Sequence, residues 1–387
     1  MVFIIIFFCS LLVVAFAIPP IIKVSFEKRL FDDPTESRKV HSRIVPNFGG
    51  IAIFSGFLLS SSLFIPTQIL PEANLLMAAG LILFMTGLKD DIVGLSPLKK
   101  FIAQFASAFI VAVMANLRIS DLNGIFGYYE LPYVASIILT ALFIVGIINA
   151  FNLIDGVDGL AASLGVIFSL MYAGLFFKAD ELGWAYLSIS LAGGLVGFLF
   201  YNLTPAKIFM GDLGSLLTGF IAAILSIKFM SISNTQEILL GTLKISSAAG
   251  LVLAILIIPI FDTIRVFTLR ISRHTSPFTA DRNHVHHRLL FVGLSHVQTT
   301  LVLSVINVLF IALALSVQPI GNTALLGLLI FIIIAVNSAM SLYIERYKKA
   351  LFTRVNLPGS VSYKNKEQEA GHKRRFGDTV LEKIVEN

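Results

Sequence analysis

The first 22 residues contain no charged side chain, and apolar runs of similar length recur near 48–66, 73–88, 99–117, 132–150, 159–177, 184–200, 213–230, 245–269, 297–316 and 322–344. A helix needs about 17–25 residues to cross a bilayer, so each run is long enough to be a span. None alternates apolar and polar positions with period two, which excludes the short strands of an outer-membrane barrel. The pattern predicts an all-α integral membrane protein, a polytopic bundle of about eleven transmembrane helices. Composition agrees: 56% of the 387 residues are hydrophobic and 13% are charged, against about 25% charged in soluble domains.

The first run ends near "AFA" at 15–17, which resembles a signal-peptidase site, but "MVF" supplies no basic residue ahead of it. Lys23, Lys28, Arg29, Arg38, Lys39 and Arg43 all follow the run. A retained helix with its N-terminus outside and this basic loop in the cytoplasm satisfies the positive-inside rule. Alternate crossing then assigns 23–47, 89–98, 151–158, 201–212, 270–296 and the C-terminus to the cytoplasm, and leaves Arg118, Lys178 and Lys244 on the other side. Residues 1–345 form the predicted membrane domain. Residues 346–387, with Lys348, Lys349, Lys373, Arg374 and Arg375, form a basic tail suited to anionic membrane lipid. The single cysteine, Cys9, excludes a disulfide framework.

On this topology five polar motifs share one face: "PNFGG" (46–50), "LKDDIVGLSPLKKFIAQ" (88–104), "NAFNLIDGVDGL" (149–160), "YNLTPAKIFMGDLGS" (201–215) and "DRNHVHHRLL" (281–290). Ionisable groups at membrane depth are costly and mark function. Asp90 and Asp91 close one span; Asn152, Asp155 and Asp158 recur at three-residue steps with Gly156 and Gly159 between them, a spacing that keeps them on one drifting helical face. Asp212 opens another helix between Gly211 and Gly214, as an N-cap or as a carboxylate holding Mg²⁺ against phosphate. His284, His286 and His287, with Arg282 and Arg288, match no common zinc spacing and suit phosphate or sugar hydroxyls. Asp262 and Arg265 read as an i,i+3 pair. Five carboxylates in one site repel each other unless cations intervene; the sequence supplies Lys89, Lys99, Lys100, Arg282 and Arg288, and a divalent metal would complete the balance. Acids, basic clamps and a hard cation together point to phosphoryl transfer.

The ordered motifs resemble the polyprenyl-phosphate N-acetylhexosamine-1-phosphate transferases over about 33–345. The resemblance implies a bacterial cytoplasmic-membrane enzyme that takes a UDP-sugar and undecaprenyl phosphate, releases UMP and requires Mg²⁺, with Mn²⁺ as a substitute. It implies Asp90 and Asp91 as the family's aspartate pair, Asp212 as metal ligand, and Asn152, Asp155 and Asp158 as the nucleotide-side motif. It further implies Lys100, Asn202 and Phe209 lining the nucleotide or phosphate site, with His284, Arg282 and Arg288 on substrate and His286 and His287 catalytic. The spaced "HVHH" looks like the N-acetylglucosamine branch; the phospho-N-acetylmuramoyl-pentapeptide branch shows three consecutive histidines. A secondary transporter is the other alternative, disfavoured because its acids would sit near mid-membrane in repeated halves. A homodimer is compatible with this reading, and no nucleic-acid partner is expected.

Overall fold

The computed structural model describes residues 1–30, 45–275 and 283–355, the last six by backbone alone. Every apolar run is helical. In chain order the helices are α1 (Val2–Glu27), α2 (Gly49–Phe64), α3 (Ala73–Val93), α4 (Pro97–Phe109, extended by a π-helical turn Ile110–Met114), α5 (Tyr133–Ile154), α6 (Leu160–Lys178), α7 (Leu182–Asn202), α8 (Gly211–Thr235), α9 (Ala248–Ile255), α10 (Ile257–Ser272), α11 (Val285–Phe291), α12 (His296–Ser316) and α13 (Asn322–Val355). Two antiparallel hairpins, β1 (Asp121–Ile125) with β2 (Tyr128–Glu130) and β3 (Ile238–Leu240) with β4 (Leu243–Ile245), sit at the end of the bundle away from the motifs.

Eight of the described helices are long and apolar enough to cross a membrane, and α9 with α10 would make a ninth. The expected count of eleven is therefore not reached by this measure. Two of the expected spans explain the difference: α2 has only 16 residues, and α3 ends in Lys89, Asp90 and Asp91. The pair α9–α10 is bent by 76°. Pro259 lies in the first turn of α10; it has no N–H for the Ile255 carbonyl and its ring would press on it, so the helix breaks there. Asn307 of α12 repairs the loss by donating to Ile255 O at 3.1 Å. In lipid, such a freed carbonyl needs a protein donor.

The compact unit Met1–Ile334 is built around α8, whose side chains are buried from Leu213 to Ile232 with few interruptions. Helices α2, α3, α5 and α6 pack against it. On its flank α1 and α7 cross closely, because a Cβ at Gly193 would stand 2.2 Å from Phe7 O and one at Gly197 2.6 Å from Leu11 O; this is the small-xxx-small contact of membrane helices. The second unit, Ala335–Asn387, is described only as the continuation of α13.

Candidate active site

Gly94, with φ +71°, ends α3, and Ser96-Pro97 opens α4; proline at the first helical position is pre-set for that role. The turn sends Lys100 back toward α3. Its Nζ lies 2.5 Å from Asp90 Oδ2 and 2.5 Å from Asp212 Oδ2. Asp90 also accepts the Leu95 N–H through Oδ1 at 2.6 Å. One carboxylate thus ties the α3–α4 turn and aims the lysine.

Asp212 sits in the first turn of α8, placed there by a junction of three segments. Phe209 donates its backbone N–H to Pro46 O at 2.8 Å, while Gly49 and Gly50 donate theirs to Phe209 O and Met210 O, both at 2.9 Å. From α3, Asp91 accepts the N–H of Asp212 at 2.8 Å and of Leu213 at 3.1 Å. From α5, Asn152 donates to Asp212 Oδ1 at 3.0 Å and to Ser215 Oγ at 3.0 Å. Asp155 follows α5 at once. Its half-buried carboxylate has no hydrogen bond or ion pair among the described residues, and burial together with repulsion from Asp212, Asp91 and Asp158 holds its pKa well above the usual carboxylate range.

Asp158 and Asn202 do different work. Asp158 is buried; its Oδ2 accepts Thr204 Oγ1 at 3.0 Å and Ala206 N at 3.3 Å, and its Oδ1 lies 3.2 Å from His296 Nδ1. Thr300 donates to the Asp158 carbonyl at 2.9 Å. Asn202, also buried, accepts Gly159 N at 2.8 Å and donates to Ile208 O at 2.8 Å. Together they lock the 155–159 loop to the 203–208 loop and to the start of α12.

The histidine motif stands on the other side of the same loop. Asp262 of α10 bonds His284 Nδ1 at 2.8 Å and the Val285 N–H at 2.8 Å. The His284 and His286 rings stack with 9° between planes. His286 is buried against Gly156, where a Cβ would lie 2.4 Å from its Nε2. Burial, with repulsion from His287 next, pushes the His286 imidazole down to about 3, so it is neutral at physiological pH. His287 and Arg288 remain half-exposed; Arg288 is lowered to about 10 by burial and then by Arg265, and stays charged.

The structure brings Asp90, Asp91, Lys100, Asn152 and Asp212 into one bonded network, with Asp155 against it. Phe209 takes part through its backbone, Asp158 and Asn202 brace the loops, and His284 and His286 are packed inside. Arg282 lies outside the described residues. Sequence reasoning missed His296, Thr204, Thr300 and the Asp262–His284 bond; Asp262 does approach Arg265, at 3.7 Å, but its shorter bonds go to α11. Among the described residues no three His, Cys, Asp or Glu side chains are grouped to hold a metal by themselves. Asp90, Asp91, Asp155 and Asp212 nevertheless outnumber Lys100, and among the described residues Asp155 has no counter-charge. That donor set fits a hard divalent cation that draws one or two carboxylates from protein and its other oxygens from phosphate and water.

Residues 73–230 match the glycosyl transferase family 4. A probable undecaprenyl-phosphate N-acetylglucosaminyl 1-phosphate transferase of Bacillus subtilis is 36% identical over 311 residues, covering 79% of this chain and 82% of the relative. A decaprenyl-phosphate N-acetylglucosaminephosphotransferase of Mycolicibacterium smegmatis is 36% identical over 288 residues, 69% of this chain and 70% of that one. An undecaprenyl-phosphate alpha-N-acetylglucosaminyl 1-phosphate transferase of Escherichia coli K12 is 29% identical over 278 residues, 70% of this chain and 72% of that one.

Proposed function

This chain belongs to the glycosyl transferase family 4, and from that membership we propose that it transfers N-acetylglucosamine 1-phosphate from UDP-N-acetylglucosamine to undecaprenyl phosphate, releasing UMP. The observation that carries the reading is the Lys100 bridge between Asp90 and Asp212, set beside Asp155, which pairs with no cation among the described residues. A cation clamp next to surplus carboxylates is the equipment of phosphoryl transfer, where positioning and electrostatics do most of the work.

In this mechanism an oxygen of the lipid phosphate attacks the β-phosphorus of the donor. The bond from that phosphorus to the bridging oxygen breaks, and UMP leaves with the bridging oxygen. A phosphate monoester has its second pKa near about 6, so the acceptor is already largely dianionic and needs no dedicated base. One step suffices. Lys100 offsets repulsion between the two anions, and Asn152 fixes the Asp212 carboxylate. His287 and Arg288, half-exposed at the rim, meet the sugar and the diphosphate. Asp212 and Asp155 are the residues that would hold Mg²⁺, which supplies Lewis-acid stabilisation of phosphate charge when bound. The site faces the cytoplasm, with the N-terminus outside and the C-terminus inside; the basic residues that follow α1 support this orientation.

The test is purified protein in detergent with UDP-N-acetylglucosamine, undecaprenyl phosphate and Mg²⁺. Acceptor-dependent UMP release with equimolar sugar-diphosphate lipid is expected, and chelation of the metal should stop it. UMP release that ignores the lipid would contradict the proposal.

A further inference from the structure

Helix α8 carries no capping side chain of its own: its N-cap is Met210, which makes no side-chain cap bond. The first turn of any helix leaves N–H groups without intrahelical partners. Here the partner comes from another helix. Asp91 of α3 accepts Asp212 N–H through Oδ1 and Leu213 N–H through Oδ2, so each of its oxygens is engaged by α8 backbone.

The surrounding chain is shaped for this contact. Gly87, one turn before Asp91 on α3, admits α8 so closely that a Cβ there would stand 2.4 Å from Leu213 Cα. Gly211, at φ +72°, has no room for a side chain either, since a Cβ would lie 2.0 Å from Asn47 O and 2.7 Å from Asp91 Oδ2. The backbone bonds of Gly49 and Gly50 to Phe209 and Met210 fix the approach from the third side. A negative carboxylate at a helix N-terminus is also favoured by the helix dipole. Each Asp91 oxygen keeps a second lone pair, but a metal or phosphorus that drew the carboxylate away from these amides would leave the first turn of α8 without its cap.

We infer that Asp91 is a positioning residue: it caps α8 across the helix interface and thereby sets the place of Asp212, while Asp90 sets the place of Lys100. The adjacent acids then have separate duties, and Asp155 and Asp212 are the carboxylates presented to substrate. The part concerning turnover rests on the transferase reading; the cap does not.

Hydrogen exchange of the metal-free, detergent-solubilised enzyme tests it, comparing wild type, Asp91→Ala and Asp91→Asn over residues 209–217. Exchange at Asp212 and Leu213 should quicken by about tenfold or more in Asp91→Ala, confined to this turn, because local opening sets the rate. Asp91→Asn keeps one acceptor and should be intermediate. In turnover, kcat should fall by about a hundredfold in Asp91→Ala, with KM for the donor within about twofold and partial recovery in Asp91→Asn. Unchanged exchange in Asp91→Ala would overturn the inference. So would an Asp91→Asn enzyme as inactive as Asp91→Ala with wild-type exchange, since charge would then act directly. If Asp91→Ala does not fold, Asp91→Asn against wild type carries the same comparison. Exchange needs no substrate, so a wild-type protein without turnover would count against the transferase reading alone.

Discussion

The ammonium of Lys100 and the carboxylate of Asp212, 112 residues apart in sequence, meet at 2.5 Å. The same ammonium holds Asp90 at 2.5 Å. Removing it leaves two carboxylates facing each other and the incoming anion. Lys100→Met should therefore cut kcat/KM by about two to three orders of magnitude. Lys100→Arg keeps the charge but presents a planar fork where a point charge bridged two oxygens, and should fall between. Steady-state kinetics on membranes checks both, with wild-type rates in Lys100→Met the contrary result.

Gly156 is a separate lever on the site. Its α-carbon faces His286, and an added methyl would stand 2.4 Å from Nε2. Because the ring is packed and buried, the loop must yield, and that loop carries Asp155. Gly156→Ala should lower kcat by about tenfold or more from a misplacement of this order, while the protein still expresses and stays folded. Unaltered kinetics would mean that the loop position is not critical.

The buried His286 gives a pH signature. Its folded pKa, about 3, is below the unfolded value of about 6.5, so the unfolded chain binds the extra proton between these limits. Stability is full above about 6.5 and falls as pH drops toward 3, at up to about 1.4 kcal/mol per pH unit for this group. Between pH 8 and 5 the group's loss is about 2 kcal/mol. Thermal denaturation across pH in detergent should show this slope, and His286→Gln should flatten it. An unchanged slope in the variant would place the pH response elsewhere.

The helices were legible because their signal is local: a run of about 20 apolar residues means a span whatever it packs against. The break at Leu256 was not, since the Pro259 effect depends on Asn307 of α12 to satisfy Ile255 O. Motif residues were legible too, as polar groups where lipid-facing helices carry none. Their division of labour was not. Adjacency marked Asp90 and Asp91 as a pair, yet they face different partners; the resemblance pointed to Asn202 as lining the nucleotide or phosphate site, and its amide ties Gly159 to Ile208. His296 gave no signal beyond the Ser295–Gln298 capping box that starts α12. Its contact with Asp158 spans 138 residues, and such pairings appear only once helices are assembled.

The most direct test of the account follows phosphorus. Donor labelled in its β-phosphate is mixed with undecaprenyl phosphate and Mg²⁺, and the label is sought in organic and aqueous phases for wild type and for Asp212→Asn. If the site built on Lys100 and Asp212 transfers a phosphosugar, label enters the lipid with the sugar in step with unlabelled UMP, and Asp212→Asn slows this by about two orders of magnitude or more. Label retained in water-soluble UDP while sugar enters lipid, or a wild-type rate in Asp212→Asn, would contradict it.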